Sequence, residues 1–125
     1  MSLRLLIVDD NRDSADTLAL LLEGQGFDVS VAYEGEQAIE AALSFHPDVL
    51  IVDLVMPSLD GFQVAKKLRA MPAFENSVFV ALSGCSDQPH FDEASKAQFD
   101  EYVVKPPKLS LLLAILSEVS ERAGK

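Results

Sequence analysis

A chain of 125 residues, 49% of them apolar, is long enough for one compact core and too short for two. Twenty acidic against ten basic residues give a net charge of -10, which repels a nucleic-acid backbone and argues against direct DNA or RNA contact. The single cysteine, Cys85, excludes an internal disulfide and a thiolate zinc site, and no apolar run reaches the roughly 20 residues that cross a bilayer. The expectation is one cytoplasmic domain, 1-125, with no membrane contact and no second domain within the chain.

In chain order, residues 3-8 (LRLLIV) read as a short strand cut off by Asp9-Asp10-Asn11. Residues 14-26 space their apolar side chains as a helix does and run into two glycines. Residues 27-32 alternate as a second strand, and 34-47 carry Ala38, Ile39, Ala42 and Leu43 at helix-face intervals, with Pro47 closing the segment. The run VLIVD, 49-53, is apolar until its last residue, as a strand covered on both faces should be. A helix at 62-71, a strand at 77-82, a helix at 89-98, a strand at 101-104 and a helix at 109-122 follow. Strict alternation at these lengths implies an α/β fold with right-handed crossovers: a doubly wound, mostly parallel sheet with helices on both faces.

In such sheets the crevice opens beyond the carboxyl ends of the strands, where the strand order reverses. Asp9 and Asp10 follow the first strand, Asp53 ends the third, Ser83 follows the fourth and Lys105 the fifth, while the second ends in uncharged Ala32-Tyr33. Three carboxylates converging there are unfavourable without a cation. Mg²⁺ suits them, being a hard ion that takes oxygen ligands at about 2.1 Å and keeps several waters. Acids, metal, amine and hydroxyl around one aspartate fit a transferring phosphoryl group, whose developing charge needs cations and donors on its oxygens. Asp53, at the centre, is the expected acceptor, forming an aspartyl phosphate. Taken singly, Asp9, Asp10 and Asp53 also read as turn or N-cap residues, but caps have no reason to align with Ser83 and Lys105.

Asp9-Asp10, Asp53 in DLVMP, Asp60-Gly61, ALS at 81-83 and YVVKP at 102-106 together resemble the receiver domain of two-component response regulators, over essentially the whole chain. The resemblance implies a flavodoxin-like three-layer sandwich, (βα)5, with strand order 2-1-3-4-5. It implies that Asp10 and Asp53 bind Mg²⁺ directly, that Asp9 acts through metal-bound water, and that Val55 lends its backbone carbonyl. Ser83 would hydrogen-bond a phosphoryl oxygen, Lys105 would bridge to the acceptor and its phosphate, and the bond before Pro106 would be cis. Tyr102 stands where receivers carry the aromatic residue that turns inward with the Ser or Thr. The implied function is Mg-dependent transfer of a phosphoryl group from the phosphohistidine of a histidine kinase or phosphotransfer domain onto Asp53. The switched surface would be the fourth helix, fifth strand and last helix, around residues 90-121. The partner there would be a target protein or a covalently attached domain. Such a protein catalyses its own phosphorylation and dephosphorylation and turns over no independent substrate.

Several positions depart from the family's pattern. Pro107 replaces a common phenylalanine, Ser83-Gly84-Cys85 replaces a threonine-alanine start, and Gln98-Phe99-Asp100 replaces a glycine-alanine pair. Phe99-Asp100 and Lys105-Pro106-Pro107 resemble receivers attached to hybrid sensor kinases. Val55 and Cys85 carry no charge to assist water, so the phosphorylated state is expected to last minutes or longer. The donor is expected to dock on the loops and first helix near Asn11 to Leu22, with Ser14, Ala15 and Leu18 as the first contacts, and Lys66, Lys67 and Arg69 read as a solvated helix face. A phosphorylation-independent binding module of the same fold is the alternative. A metal-dependent hydrolase would want a general acid at Val55, and a flavin domain would want a Ser/Thr/Gly-rich loop where Asp9-Asp10 stand.

Overall fold

The computed structural model describes residues 2-56, 60-84 and 98-125. Among them the order is β1 (Arg4–Val8), α1 (Arg12–Glu23), β2 (Asp28–Ala32), α2 (Gly35–Phe45), β3 (Val49–Asp53), α3 (Gly61–Arg69), a 3-10 turn (Pro72–Phe74), β4 (Val78–Ser83), β5 (Glu101–Val104) and the C-terminal helix α4 (Leu109–Ala123). All strand pairings are parallel and the order is 2-1-3-4-5, as the resemblance implied. The helix expected at 89-98 lies outside the described residues but for Gln98, which sits in a turn.

Alternation along the strands decides the layering. Successive strand side chains point to opposite faces, so Leu5 and Ile7 of β1 join Ile51, Val80 and Leu82 under α1 and α4, packed by Leu18, Leu22, Leu112 and Leu116. Leu6 and Val8 join Leu50, Val52 and Phe79 on the other face, covered by Ala38, Ala42, Val64 and Leu68 of α2 and α3. β3 lies between β1 and β4, and all five of its residues are buried. Each buried Val, Leu or Ile contributes roughly 1.5 to 3 kcal/mol. Asp53, at the end of that run, is held where the sheet is most tightly covered.

The helix starts have local causes. Asn11 caps α1, its Oδ1 accepting the Ser14 N–H at 3.0 Å. Asp60 caps α3 in a reciprocal box with Gln63, at 3.0 Å and 2.9 Å. Lys66 and Lys67 are exposed as expected, but Arg69 is not part of a solvated face. Its guanidinium lies over the Phe79 ring at 4.3 Å and meets Asp100 Oδ2 at 2.7 Å and the Gln98 carbonyl at 2.8 Å. Sequence distance hid this contact, since Asp100 follows Arg69 by 31 positions.

At the opposite pole from the carboxyl edge, Asp48 ties several elements together. It accepts the Arg4 N–H at 2.9 Å and the Lys125 ammonium at 2.9 and 3.1 Å, just beyond the end of α4. No helix among the described residues is long and apolar enough to cross a membrane.

Candidate functional site

The acids expected at the sheet edge come together there. The Asp9 N–H donates to the Ala32 carbonyl at 3.1 Å, and its Oδ1 accepts the Asn11 N–H at 3.0 Å. Capping falls to Asn11 and Asp60, so neither Asp10 nor Asp53 serves as a cap. Carboxylate oxygens of Asp9, Asp10 and Asp53 lie within 4.8 Å of one another, with Asp9 and Asp53 buried and Asp10 exposed.

Asp53 is 2% exposed. Its Oδ1 receives the Lys105 ammonium at 2.7 Å and the Val55 N–H at 3.2 Å. Burial pushes the Asp53 carboxyl up to about 6, with a smaller push from Asp9, and the Lys105 hydrogen bond and charge and the Val55 N–H pull only part of the way back. Val55 itself is exposed. Gly61 completes this wall because nothing larger fits: a Cβ there would lie 2.4 Å from the Asp53 carbonyl oxygen and 2.9 Å from the Leu54 Cα.

Ser83 is the last residue of β4 rather than the first beyond it, and its Oγ is buried with no hydrogen-bond partner. A buried hydroxyl without a partner costs about 1 to 3 kcal/mol. Lys105 is fixed from behind by its N–H on the Ser83 carbonyl at 2.8 Å, and the Lys105–Pro106 bond is cis, as expected. Tyr102 sits on β5 opposite Ala81, half-buried against the α3-side core.

The donor set fits a hard divalent cation. It consists of carboxylate oxygens alone, and a single lysine pairs with Asp53 at a cluster of three acids. Such an acidic cluster is typical of Mg²⁺-binding sites.

A groove of about 620 Å³ adjoins the site, lined by Ser14, Thr17, Leu18 and Leu21 of α1 and by Pro106 and Pro107. Of the three docking residues expected on α1, Ser14 is exposed, Leu18 is 8% exposed and Ala15 is 1% exposed. Ala15 is core, because it lies one helical turn before Leu18 and Ala19 on the face turned to the sheet. Asp13, Thr17 and Leu21, within the expected Asn11 to Leu22 range, are further exposed residues of the groove.

A second cluster at this edge was also missed. The Arg12 guanidinium lies over the Tyr33 ring at 4.1 Å, and the Tyr33 hydroxyl donates to Asp16 at 2.5 Å. This hydrogen bond, more than the Asp16 charge, raises the Tyr33 pKa. The signal was present in the parallel pairing of β1 and β2, which brings any residue just after Ala32 beside the first turn of α1.

Comparison with known proteins agrees with this geometry. Residues 5-117 match the family "Response regulator receiver domain". The chain is 34% identical over 114 residues to the DNA-binding response regulator MtrA of Mycolicibacterium smegmatis, covering 91% of this chain and 49% of that protein. It is 38% identical over 122 residues to the transcriptional regulatory protein PrrA of Mycobacterium leprae, covering 97% of this chain and 51% of the other. It thus spans about half the length of these relatives. Among solved structures, a CheY-like response regulator receiver domain from Methylobacillus flagellatus superposes with a TM-score of 0.86 at 32% identity, covering 95% of this chain and 99% of that one. Vibrio cholerae chemotaxis protein CheY4 gives 0.85 at 26% identity, covering 95% and 99%. Fold, acidic site and relatives converge, and the chain belongs to the response regulator receiver domain family.

Proposed function

We propose that this domain accepts a phosphoryl group on Asp53 from the phosphohistidine of a histidine kinase or phosphotransfer domain. The observation that carries this is the 2.7 Å contact of Lys105 Nζ with Asp53 Oδ1 beside two further carboxylates. The N–P bond breaks with its electron pair going to the donor imidazole, and an Asp53 carboxylate oxygen forms the new O–P bond. Lys105 neutralises charge on the phosphoryl oxygens, and the Ser83 hydroxyl, unpartnered before transfer, donates to one of them. Asp10, Asp53 and the Val55 carbonyl would hold Mg²⁺, with Asp9 acting through its water. When bound, the ion offsets the repulsion between acids and phosphate.

The hydrogen bond formed by Ser83 reads out the phosphorylated state at Tyr102, two residues earlier on the neighbouring strand register. The donor docks along the α1 groove, where Ser14, Thr17 and Leu21 face Pro106 and Pro107. With uncharged Val55 at the rim, the aspartyl phosphate is expected to last minutes or longer; a lifetime of seconds in Mg²⁺ buffer would overturn this.

The test is incubation with acetyl phosphate, read by intact mass with and without Mg²⁺ on the natural sequence and on Asp53→Asn. One added phosphoryl group that needs metal and is lost in the variant identifies the acceptor. No addition with several phosphodonors favours a phosphorylation-independent binding module.

A further inference from the structure

Phe99 stands out among the residues that the phosphoryl chemistry leaves unused. It is 7% exposed although it lies in the irregular segment just before β5. Its ring meets Phe62 of α3 edge-on at 5.6 Å and Tyr102 of β5 edge-on at 5.8 Å. It therefore bridges the first turn of α3 and the half-buried tyrosine.

Both chain neighbours of Phe99 are anchored. The Gln98 carbonyl accepts from Arg69 Nε at 2.8 Å, and the Asp100 carboxylate accepts from Arg69 at 2.7 Å and from the Phe79 N–H at 2.8 Å. The Asp100 N–H closes the loop on the Phe79 carbonyl at 2.8 Å. With the backbone held on both sides, the Cα of Phe99 has a set place from which its ring reaches both Phe62 and Tyr102. The backbone leading into Phe62 is also held, since the preceding Gly61 lies against the Asp53 and Leu54 backbone and donates its N–H to the Leu54 carbonyl at 3.2 Å.

We propose that Phe99 is a positioning residue for Tyr102, an anchored aromatic wedge keyed to α3 that favours one orientation of the tyrosine ring and so sets its switching equilibrium. This rests on the reading of Tyr102 as the element that responds to phosphorylation. Edge-to-face ring pairs carry an orientation preference beyond their buried area, because the positive rim of one ring meets the negative face of the other. Tyr102 gives up that contact with Phe99 when its ring turns away. Loss of one such pair shifts the equilibrium roughly two- to tenfold.

The chain has two tyrosines and no tryptophan, so incorporation of 3-fluorotyrosine gives two ¹⁹F resonances, assigned with Tyr33→Phe. Spectra of the full chain with Mg²⁺, before and after beryllofluoride as phosphoryl mimic, report the Tyr102 ring directly. In Phe99→Ala the ratio of the two Tyr102 states is expected to change by that factor before any mimic is added, beyond the shift that loss of the neighbouring ring itself causes, while Tyr33 stays in place. Phe99→Leu keeps apolar bulk without the ring and is expected to show the same direction of change, and it decides the matter if the alanine variant fails to fold. Lower thermal stability in both variants with an unchanged ratio of Tyr102 states and an unchanged response to the mimic would overturn the proposal and leave Phe99 as packing alone. If beryllofluoride moves nothing in the natural sequence, the phosphoacceptor reading fails separately, and the mimic-free comparison of the variants still decides the role of Phe99.

Discussion

At the scale of the residue, Asp53 is held in a state that favours chemistry over stability. Its folded pKa of about 6 lies above the ordinary 3.8 because ionisation in a buried site costs more than in the unfolded chain. For an acid raised in this way, the stabilising contribution is complete below about pH 4 and is lost as pH rises through about 6, a difference on the order of 2 to 3 kcal/mol without metal. Asp53→Asn is therefore expected to unfold at higher denaturant concentration than the natural sequence at pH 8 without Mg²⁺, with the gap closing toward pH 4; equal midpoints at pH 8 would contradict this. Lys105→Met removes the main influences that lower the Asp53 pKa. A carboxyl NMR titration of that variant is expected to place Asp53 above its value in the natural sequence. The identity of these residues was legible because each stands at a strand end. The desolvation was not, since it depends on how completely α1, α3 and the neighbouring strands cover one carboxyl group.

Among the elements, the strand-to-helix junctions do the positioning. Gly61→Ala would force a methyl group into the Asp53 and Leu54 backbone, neither of which can yield as a flexible side chain does. A loss of roughly 1 to 3 kcal/mol in urea unfolding and slower labelling by acetyl phosphate are expected together. Asn11→Ala removes the α1 cap at a cost of about 1 kcal/mol, measured in the same way. Elements were legible where apolar residues were continuous, as in β3, or strongly periodic, as in α4, and their ends fell within a few residues of the expected ones. The 3-10 turn Pro72–Phe74 went unread because three residues are too few to show a period. Arg69 was misread for a different reason. Its helix looked basic and solvated locally, while the partners that cover it come from β4 and from the segment just before β5.

Over the whole molecule, the two cores and the reactive edge are separate regions joined through β3. The strand order followed from the resemblance, and the layering from alternation, but the groove between α1 and Pro106-Pro107 depends on how two distant segments meet, which no local pattern encodes. Leu21, 47% exposed within that groove, offers a test of donor docking. Leu21→Glu is expected to lower the ratio of the phosphorylation rate from a phosphohistidine donor to the rate with acetyl phosphate; an unchanged ratio would move docking to another face.

The contact between Lys125 and Asp48 bears on how motion could leave the domain. Its C-terminal helix is moored at one end by the Lys105 turn beside Asp53 and at the other by the Asp48 carboxylate beneath the sheet. Fifteen residues of helix separate the moorings, about 22 Å of nearly rigid rod. A rod fixed at both ends transmits torque and thrust along its axis and resists sideways swing. Leu112, Leu116 and Val119 hold that rod against the sheet along its length, so Lys125→Ala would loosen its last turn and leave the rest of the strut in place.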